Sequence, residues 1–299
     1  MKIGILLIGF NRPENLTEVH RAAVAHGGGT PIVVHVDGSE PDSRYHSGNL
    51  RVRALVQQWQ VRGEILNSKL QSVNLGCKYG PPAAISWGFE HFDGLIILED
   101  DCVPDASFFP YCKELLIRYH HDLRVGSICG DNAYRLDLSR VPYSYCFISY
   151  PRIWGWATWK DRWQQYDPDW NKIKEVERAY GYIPQVAPSR REQARMSKAL
   201  DLINNGIISN WDTQWWLAFA YNHWLCVQPT VNLIRNTGFG EGATHTHDSR
   251  SQFAKLLTEG LAFPLKHPVF VRPDRELDVS LSSEYTLGSR IKRYIRRFT

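Results

Sequence analysis

In the stretch LIILEDDCVPDASFF, residues 95–109, an aliphatic run of the kind that fills a buried strand ends in the consecutive acids Glu99, Asp100 and Asp101. Like charges crowded at a strand end repel one another, so a positive partner is expected beside them. One solution is a hard divalent cation. Mn²⁺ and Mg²⁺ prefer oxygen ligands and take much of their coordination shell from substrate phosphates and water. The other reading has the acids capping the helix that follows, since Asp105 and its neighbours stand where negative charge suits a helix N-terminus. The triplet alone favours capping. Arg12 in LLIGFNRPENL and Asp37 in PIVVHVDGS shift the balance toward a metal, because each also follows an apolar, strand-like run.

Asp212 stands far downstream, in NWDTQWWLAFAYNHW. A carboxylate remote from a metal-binding set can serve as a general base, and Asp is also a good N-cap for the helix TQWWLAFAYNHW. Spacing leaves both readings open. The tryptophans around it, and those of YPRIWGWATWKDRWQQYDPDW, read first as packing residues. Trp156, Trp211 and Trp215 are the candidates to stack on a ligand instead. In NTGFGEGATHTHDS, His245 and His247 read as solvated loop residues or, second, as ligands. Gly238, Gly240 and Gly242 around Glu241 make either a plain flexible loop or a lid with hinge freedom.

What must position these residues is an alternation of strands and helices. IGILLIG is an apolar run closed by Asn11, Arg12 and Pro13, and proline suits the first position of a helix. PIVVHVDGS ends in an Asp37-Gly38 turn, HSGNLRVRALVQQWQVRG has helical spacing, and GPPAAISWGFEHF opens on prolines before a further helix. DGLIILEDD is the next strand, DASFFPYCKELLIRYHHD is helical and RVGSICG is a short strand. This predicts an α/β fold with a mainly parallel, Rossmann-like central sheet flanked by helices. Ligands of such sheets bind beyond the C-terminal strand ends. Asn11-Arg12, Asp37 and the acidic triplet are therefore expected to converge on one crevice.

Of the 299 residues, 43% are hydrophobic and 22% charged, enough apolar material for a sizeable core. The net charge of +4 is too small to argue for nucleic acid, and no such partner is expected. Cys77, Cys102, Cys112, Cys129, Cys146 and Cys226 are scattered without CxxC or finger spacing, which fits reduced, buried thiols of a cytoplasmic protein. The apolar opening MKIGILLIGF is too short to cross a membrane and reads as a first buried strand. SRIKRYIRRFT at the other end carries Arg290, Lys292, Arg293, Arg296 and Arg297. It reads as a solvated basic tail or, more sharply, as a peripheral contact with the anionic inner face of a membrane.

LLIGFNRPENL, VDGS, ILEDDCVPDASFF, WGWATWKDRW, NWDTQWW and GFGEGATHT follow one another in that order. As an ordered set they resemble inverting glycosyltransferases of the GT-A fold, especially bacterial sugar transferases related to the Golgi β-1,2-N-acetylglucosaminyltransferase of N-glycan assembly. The resemblance implies metal-dependent transfer of a sugar, N-acetylglucosamine by analogy, from a UDP-sugar to a hydroxyl of a glycan or lipid-linked glycan. The triplet is a variant of that family's Asp-X-Asp signature. It implies Asp101 as the direct ligand of Mn²⁺ or Mg²⁺, with Glu99 and Asp100 facing the donor sugar and the ribose. Asp37 would accept from the uracil imide, Arg12 would sit beside the base, and Lys78 of NLGCKYG would lie near the diphosphate. Asp212 takes the position of the catalytic base, with Trp211 before it on the donor side. His245 or His247 would complete the metal site, and GFGEGATHTHD would close over bound donor. Residues 1–255 would be the GT-A domain, with 1–125 binding the nucleotide sugar and 126–255 carrying the acceptor and catalytic half; 256–299 would be a C-terminal extension. A sugar-nucleotide nucleotidyltransferase is the competing enzyme class, and the chain shows no N-terminal glycine-rich phosphate loop for it. A non-catalytic glycan-binding protein is the third class, and the intact triplet with Asp212 argues against it.

Overall fold

Strands form where apolar residues run continuously, because both faces of each are covered. The computed structural model describes residues 1–132, 138, 140–187, 189–238 and 256–284. In it β1 (Ile3–Gly9) leads into α1 (Pro13–His26), β2 (Ile32–Val36) into α2 (His46–Val61), and β3 (Asn67–Leu70) into α3 (Gly76–Gly88). β4 (Gly94–Glu99) runs through the short β5 (Cys102–Pro104) to α4 (Phe108–Arg118). There follow β6 (Val125–Cys129), β7 (Tyr145–Ile148), β8 (Trp156–Trp159), α5 (Lys160–Trp163), α6 (Asn171–Tyr180), α7 (Ile183–Val186) and α8 (Arg190–Asn204). The described chain closes with α9 (Asp212–Asn222), β9 (Leu225–Pro229), β10 (Ile234–Asn236) and α10 (Arg275–Glu284).

One sheet takes the order β3-β2-β1-β4-β8-β6-β9-β7, and β10 pairs separately with β5. The half β3-β2-β1-β4 is parallel throughout, as its strand–helix alternation predicts. The other half is mixed: β8 runs antiparallel between β4 and β6, β6 and β9 are parallel, and β7 closes the edge antiparallel to β9. Side chains alternate between two cores with the period of a strand. Ile5, Leu7, Ile96, Leu98, Ala157 and Trp159 enter one core, and Leu6, Leu95, Ile97 and Trp156 the other. A smaller core gathers Trp170, Met196, Leu200 and Ile203 against Leu217 of α9. All six thiols are free and five are buried.

Helix α3 begins at Gly76, five residues ahead of the prolines that were expected to open it. Asp37 is the cause. Its carboxylate accepts from the backbone N–H of Leu75 at 2.9 Å and of Gly76 at 3.0 Å, satisfying donors that a helix start leaves unpaired. Pro81 and Pro82 then sit inside the helix and leave the carbonyls of Cys77 and Lys78 without their helical donors.

The described part of the C-terminal extension is woven into the same body. Leu265 packs into the first core, and Leu277 and Leu281 of α10 into the second. Ser144 N–H donates to the Lys266 carbonyl and Asp274 N–H to that of Phe147, both at 2.8 Å, so this segment covers the edge strand β7. Asp278 accepts from the Ser149 N–H at 2.8 Å and its hydroxyl at 2.6 Å. The basic tail at 290–297 lies outside the described residues. Among those described, no helix is long and apolar enough to cross a membrane.

Gly155 makes the turn that sends β8 back between β4 and β6. Its φ is +61°, its carbonyl accepts from Gly130 N–H at 2.7 Å, and a Cβ there would lie 2.3 Å from Ile234 Cδ1. Gly155→Ala is therefore expected to cost about 1–3 kcal/mol, from left-handed backbone strain and overpacking combined. Urea unfolding monitored by tryptophan fluorescence measures it, and an unchanged midpoint would refute this account of the turn.

Candidate functional site

Parallel pairing of β1 with β4 brings Ile8 level with Glu99. Arg12, just beyond the end of β1, therefore reaches the acids that follow β4. Its Nη2 lies 2.6 Å from Asp100 Oδ1 and its Nη1 3.1 Å from Asp101 Oδ2. The chain itself thus supplies a positive partner for the triplet. Burial opposes the guanidinium charge, but Asp100 and Asp101 outweigh it and hold the Arg12 pKa up. Asp100 is buried, which pushes its carboxyl up, with Arg12 pulling the other way. Glu99 is pushed up to about 8, by burial first and then by the charges of Asp101 and Asp100, with Arg12 opposing. The capping alternative fails for the triplet. Helix α4 starts only at Phe108, and its local acid is Asp105, which accepts from the Ser107 N–H at 2.8 Å and hydroxyl at 2.6 Å.

The ribbon of β5 and β10 carries the start of the glycine-rich loop to the same place. Asn236 pairs with Cys102, and the Thr237 N–H donates to the Asp101 carbonyl at 2.8 Å. Gly238 then lies against the acid itself, since a Cβ there would stand 2.1 Å from Asp101 Oδ2. Helix α1 braces the ribbon: Asn15 donates to the Thr237 hydroxyl at 2.8 Å, and Glu18 pairs with Arg235. Gly240, Glu241, Gly242, His245 and His247 lie outside the described residues.

Among the described residues, no group of three or more His, Cys, Asp or Glu side chains converges into a metal cage. The donor set suits a hard cation in one mode only. Asp101, with its side chain 17% exposed, offers a single carboxylate, and phosphates and water must complete the shell. In that mode the residues fit Mn²⁺ or Mg²⁺.

Asp37 and Lys78 both have structural partners. Besides capping α3, Asp37 accepts from its neighbour Gly38 at 2.9 Å; burial raises its pKa, and these backbone donors counter the shift. A carboxylate has about four acceptor positions, so one further donor can still be met. Lys78 reaches across to Asp169 at 2.9 Å, and the Tyr79 hydroxyl donates to the same oxygen at 3.0 Å. A diphosphate would have to draw Lys78 from that pair.

Asp212 is the first residue of α9, inside the helix, and the N-cap position belongs to Trp211. The capping reading of Asp212 is therefore corrected. Its charge adds to those that raise the Glu99 carboxyl, and it joins burial and Glu99 in pushing the Cys77 thiol up to about 12. Asp212 and the triplet thus share one electrostatic field, with Cys77 inside it. The tryptophan expectation also needs correction. Trp156, Trp211 and Trp215 are 1%, 3% and 0% exposed, which leaves no face for a sugar. Trp156 stacks on Trp211 with centroids 5.8 Å apart, and Trp215 packs against Trp156 at 5.6 Å and Trp163 at 5.3 Å. They form the wall that fixes the start of α9, where Tyr166 also donates to the Trp211 carbonyl at 3.3 Å.

Sequence reading missed the braces. Asn49, buried in α2, donates to the carbonyls of Phe10 at 2.7 Å and Asp37 at 2.8 Å, tying two strand ends together. A buried ion pair joins Arg152 to Asp131 just beyond β6. A lone Asn on a helix and an Arg–Asp pair 21 residues apart carry no local signal.

No protein-family model matches the chain, and no curated protein sequence matches it. Solved structures resemble it only distantly. A galactosyltransferase, LgtC, in complex with donor and acceptor sugar analogues is 13% identical, with 97% of this chain and 99% of that chain covered at a TM-score of 0.40. TarS of S. aureus, residues 1–349 in complex with UDP, is 12% identical over 43% of this chain and 34% of its own, at a TM-score of 0.32. A cytidylyltransferase of Leptospira borgpetersenii is 11% identical over 60% of this chain and 71% of its own, at 0.34. The chain spans 20%, 34% and 53% of the three TarS chains it matches. Likenesses this distant carry no argument about the site residues.

A carboxyl whose folded-state pKa is raised contributes stability that is full below its unfolded value and is lost as pH rises through the folded value. For Glu99 that window runs from the ordinary glutamate range up to about 8. Glu99→Gln cannot ionise and escapes the loss. It is expected to exceed the parent in stability by more than about 1 kcal/mol at pH 8.5 and to lose that advantage by pH 4.5. Denaturant unfolding in EDTA at the two pH values measures it; a pH-independent difference would show that folding leaves the Glu99 carboxyl in its ordinary range.

Proposed function

We propose that this protein is a metal-dependent inverting glycosyltransferase. It would move a sugar, N-acetylglucosamine as the first candidate, from a UDP-sugar to a hydroxyl of a glycan or lipid-linked glycan. The observation that carries the reading is Arg12 bridging Asp100 and the partly open Asp101 beyond β1 and β4, with the sequence-remote Asp212 at the start of α9. Single displacement asks for those parts: charge stabilisation on the leaving side, a base on the attacking side, and no covalent nucleophile.

Asp101 would hold Mn²⁺ or Mg²⁺. Such an ion, once bound, supplies charge neutralisation for the departing diphosphate. Arg12 presents a fork of fixed donors that can pass from carboxylate to phosphate oxygens. Glu99, whose carboxyl burial pushes up, would face the donor sugar. Asp212 would take the acceptor proton as the hydroxyl attacks, with the tryptophan wall behind it limiting its drift. The segment from Gly238 onward would close over the donor. A cytoplasmic location, with the basic tail against the membrane's inner face, would suit a lipid-linked acceptor.

The test is incubation with a panel of UDP-sugars and Mn²⁺. Slow donor hydrolysis to UDP is expected without an acceptor. Pyrophosphate release from UTP and a sugar phosphate would identify a nucleotidyltransferase instead, and neither reaction would identify a binding protein. Asp101→Ala is expected to abolish both transfer and the Mn²⁺-dependent part of UDP binding. Asp212→Asn is expected to bind donor like the parent and to transfer about 10²–10⁴-fold more slowly. Near-parental transfer by Asp212→Asn would remove it as the base.

A further inference from the structure

The segment HPVFVRP, residues 267–273, turns two large apolar side chains into solvent. Val269 is 74% and Phe270 70% exposed, whereas Leu265 before them is buried and Val271 after them packs against the core. The tip is well tethered. His267 Nε2 lies 3.1 Å from Glu114 of α4, its Nδ1 lies 2.8 Å from the Tyr145 hydroxyl, and Arg124 donates to the Val271 carbonyl at 3.3 Å. These ties set the tip beside the end of α4. There Ile117, one helical turn beyond Glu114, is 65% exposed, and Leu123, next to Arg124, is 66% exposed.

Exposed cations surround these apolar groups: Arg118 and Arg124 on the α4 side, Lys266 and Arg272 on the tip. The acids within reach are already engaged, Glu114 with His267 and Asp122 with Arg124. Large apolar side chains held out of a tethered loop and ringed by positive charge mark a docking surface. The charge decides what docks. A two-fold contact between copies would set cation against cation, whereas phospholipid headgroups present phosphate above hydrocarbon.

We propose that this face binds peripherally to an anionic phospholipid bilayer. Val269 and Phe270 enter the headgroup boundary, Ile117 and Leu123 widen the apolar contact, and Lys266, Arg272 and Arg118 meet the phosphates. The attachment is carried by the folded body and does not depend on the catalytic reading.

The experiment is sedimentation of the full chain with vesicles of equal parts phosphatidylglycerol and phosphatidylcholine, against pure phosphatidylcholine. The parent is expected to bind the anionic vesicles and to lose binding as salt rises. Val269→Asp with Phe270→Asp, and separately Lys266→Glu with Arg272→Glu, are each expected to weaken binding at least about tenfold, since each surface cation is worth roughly fivefold. All four positions are exposed, and circular dichroism checks that both variants fold. Parental binding by both variants would assign any attachment to the basic tail and overturn the proposal, as would a parent that ignores anionic vesicles. Dimerisation of the parent that the Val269→Asp, Phe270→Asp variant abolishes in sedimentation velocity would mark the face as a contact between copies and likewise overturn it.

Discussion

A buried strand can end in three carboxylates only if their charge is answered on the spot, and here the answer is one guanidinium. Unit charges about 4 Å apart near a protein surface interact by about 4 kcal/mol, so Arg12, bridging Asp100 and Asp101, offsets the crowding of their charge. The bridge constrains the architecture around it. Strand β1 must neighbour β4, it must run parallel to it, and α1 must begin directly after Arg12 so that the side chain points across the gap. Glu99 takes the other solution: burial and the neighbouring charges push its carboxyl up.

That solution also sets how the crevice can respond to a ligand. A phosphate-bearing molecule competes with Asp100 and Asp101 for Arg12, and a divalent cation competes with Arg12 for Asp101. Bound together, each leaves the other's displaced partner satisfied. Bound singly, each would strand a charge in a largely buried place, where an unpaired charge is costly. On the proposed function, nucleotide and metal would therefore bind jointly, and Gly238, packed on Asp101, stands where that binding would be felt.

The remainder of the sheet supplies rigidity. β8, inserted antiparallel, carries Trp156 into a stack with Trp211 and Trp215, and this stack fixes α9 and with it Asp212. Asn49 and the Arg152–Asp131 pair fasten the loops beyond β1, β2 and β6. On the far edge, residues 266–274 cover β7 and carry the Val269–Phe270 tip outward, so one segment closes the sheet and presents an apolar surface.

Much of this was legible in the chain. Continuous apolar runs marked β1, β2, β4 and β6, and polar residues marked the ends of the first three, because burial on both faces imposes a composition that short-range reading detects. The triplet announced a missing positive charge, Arg12 and Asp37 were marked as crevice residues, and the ordered motifs singled out Asp212. What tertiary structure alone decided were the partners. That Arg12 answers the triplet, that Asp37 starts α3 ahead of its prolines, and that Trp156 faces Trp211 and Trp215 depends on residues tens of positions apart. The same limit applies to β8 and the covered edge of β7. A tryptophan-rich tetrapeptide and a proline-punctuated tail carry no periodicity of their own, and only the neighbours they pair with make one a strand and the other its cover.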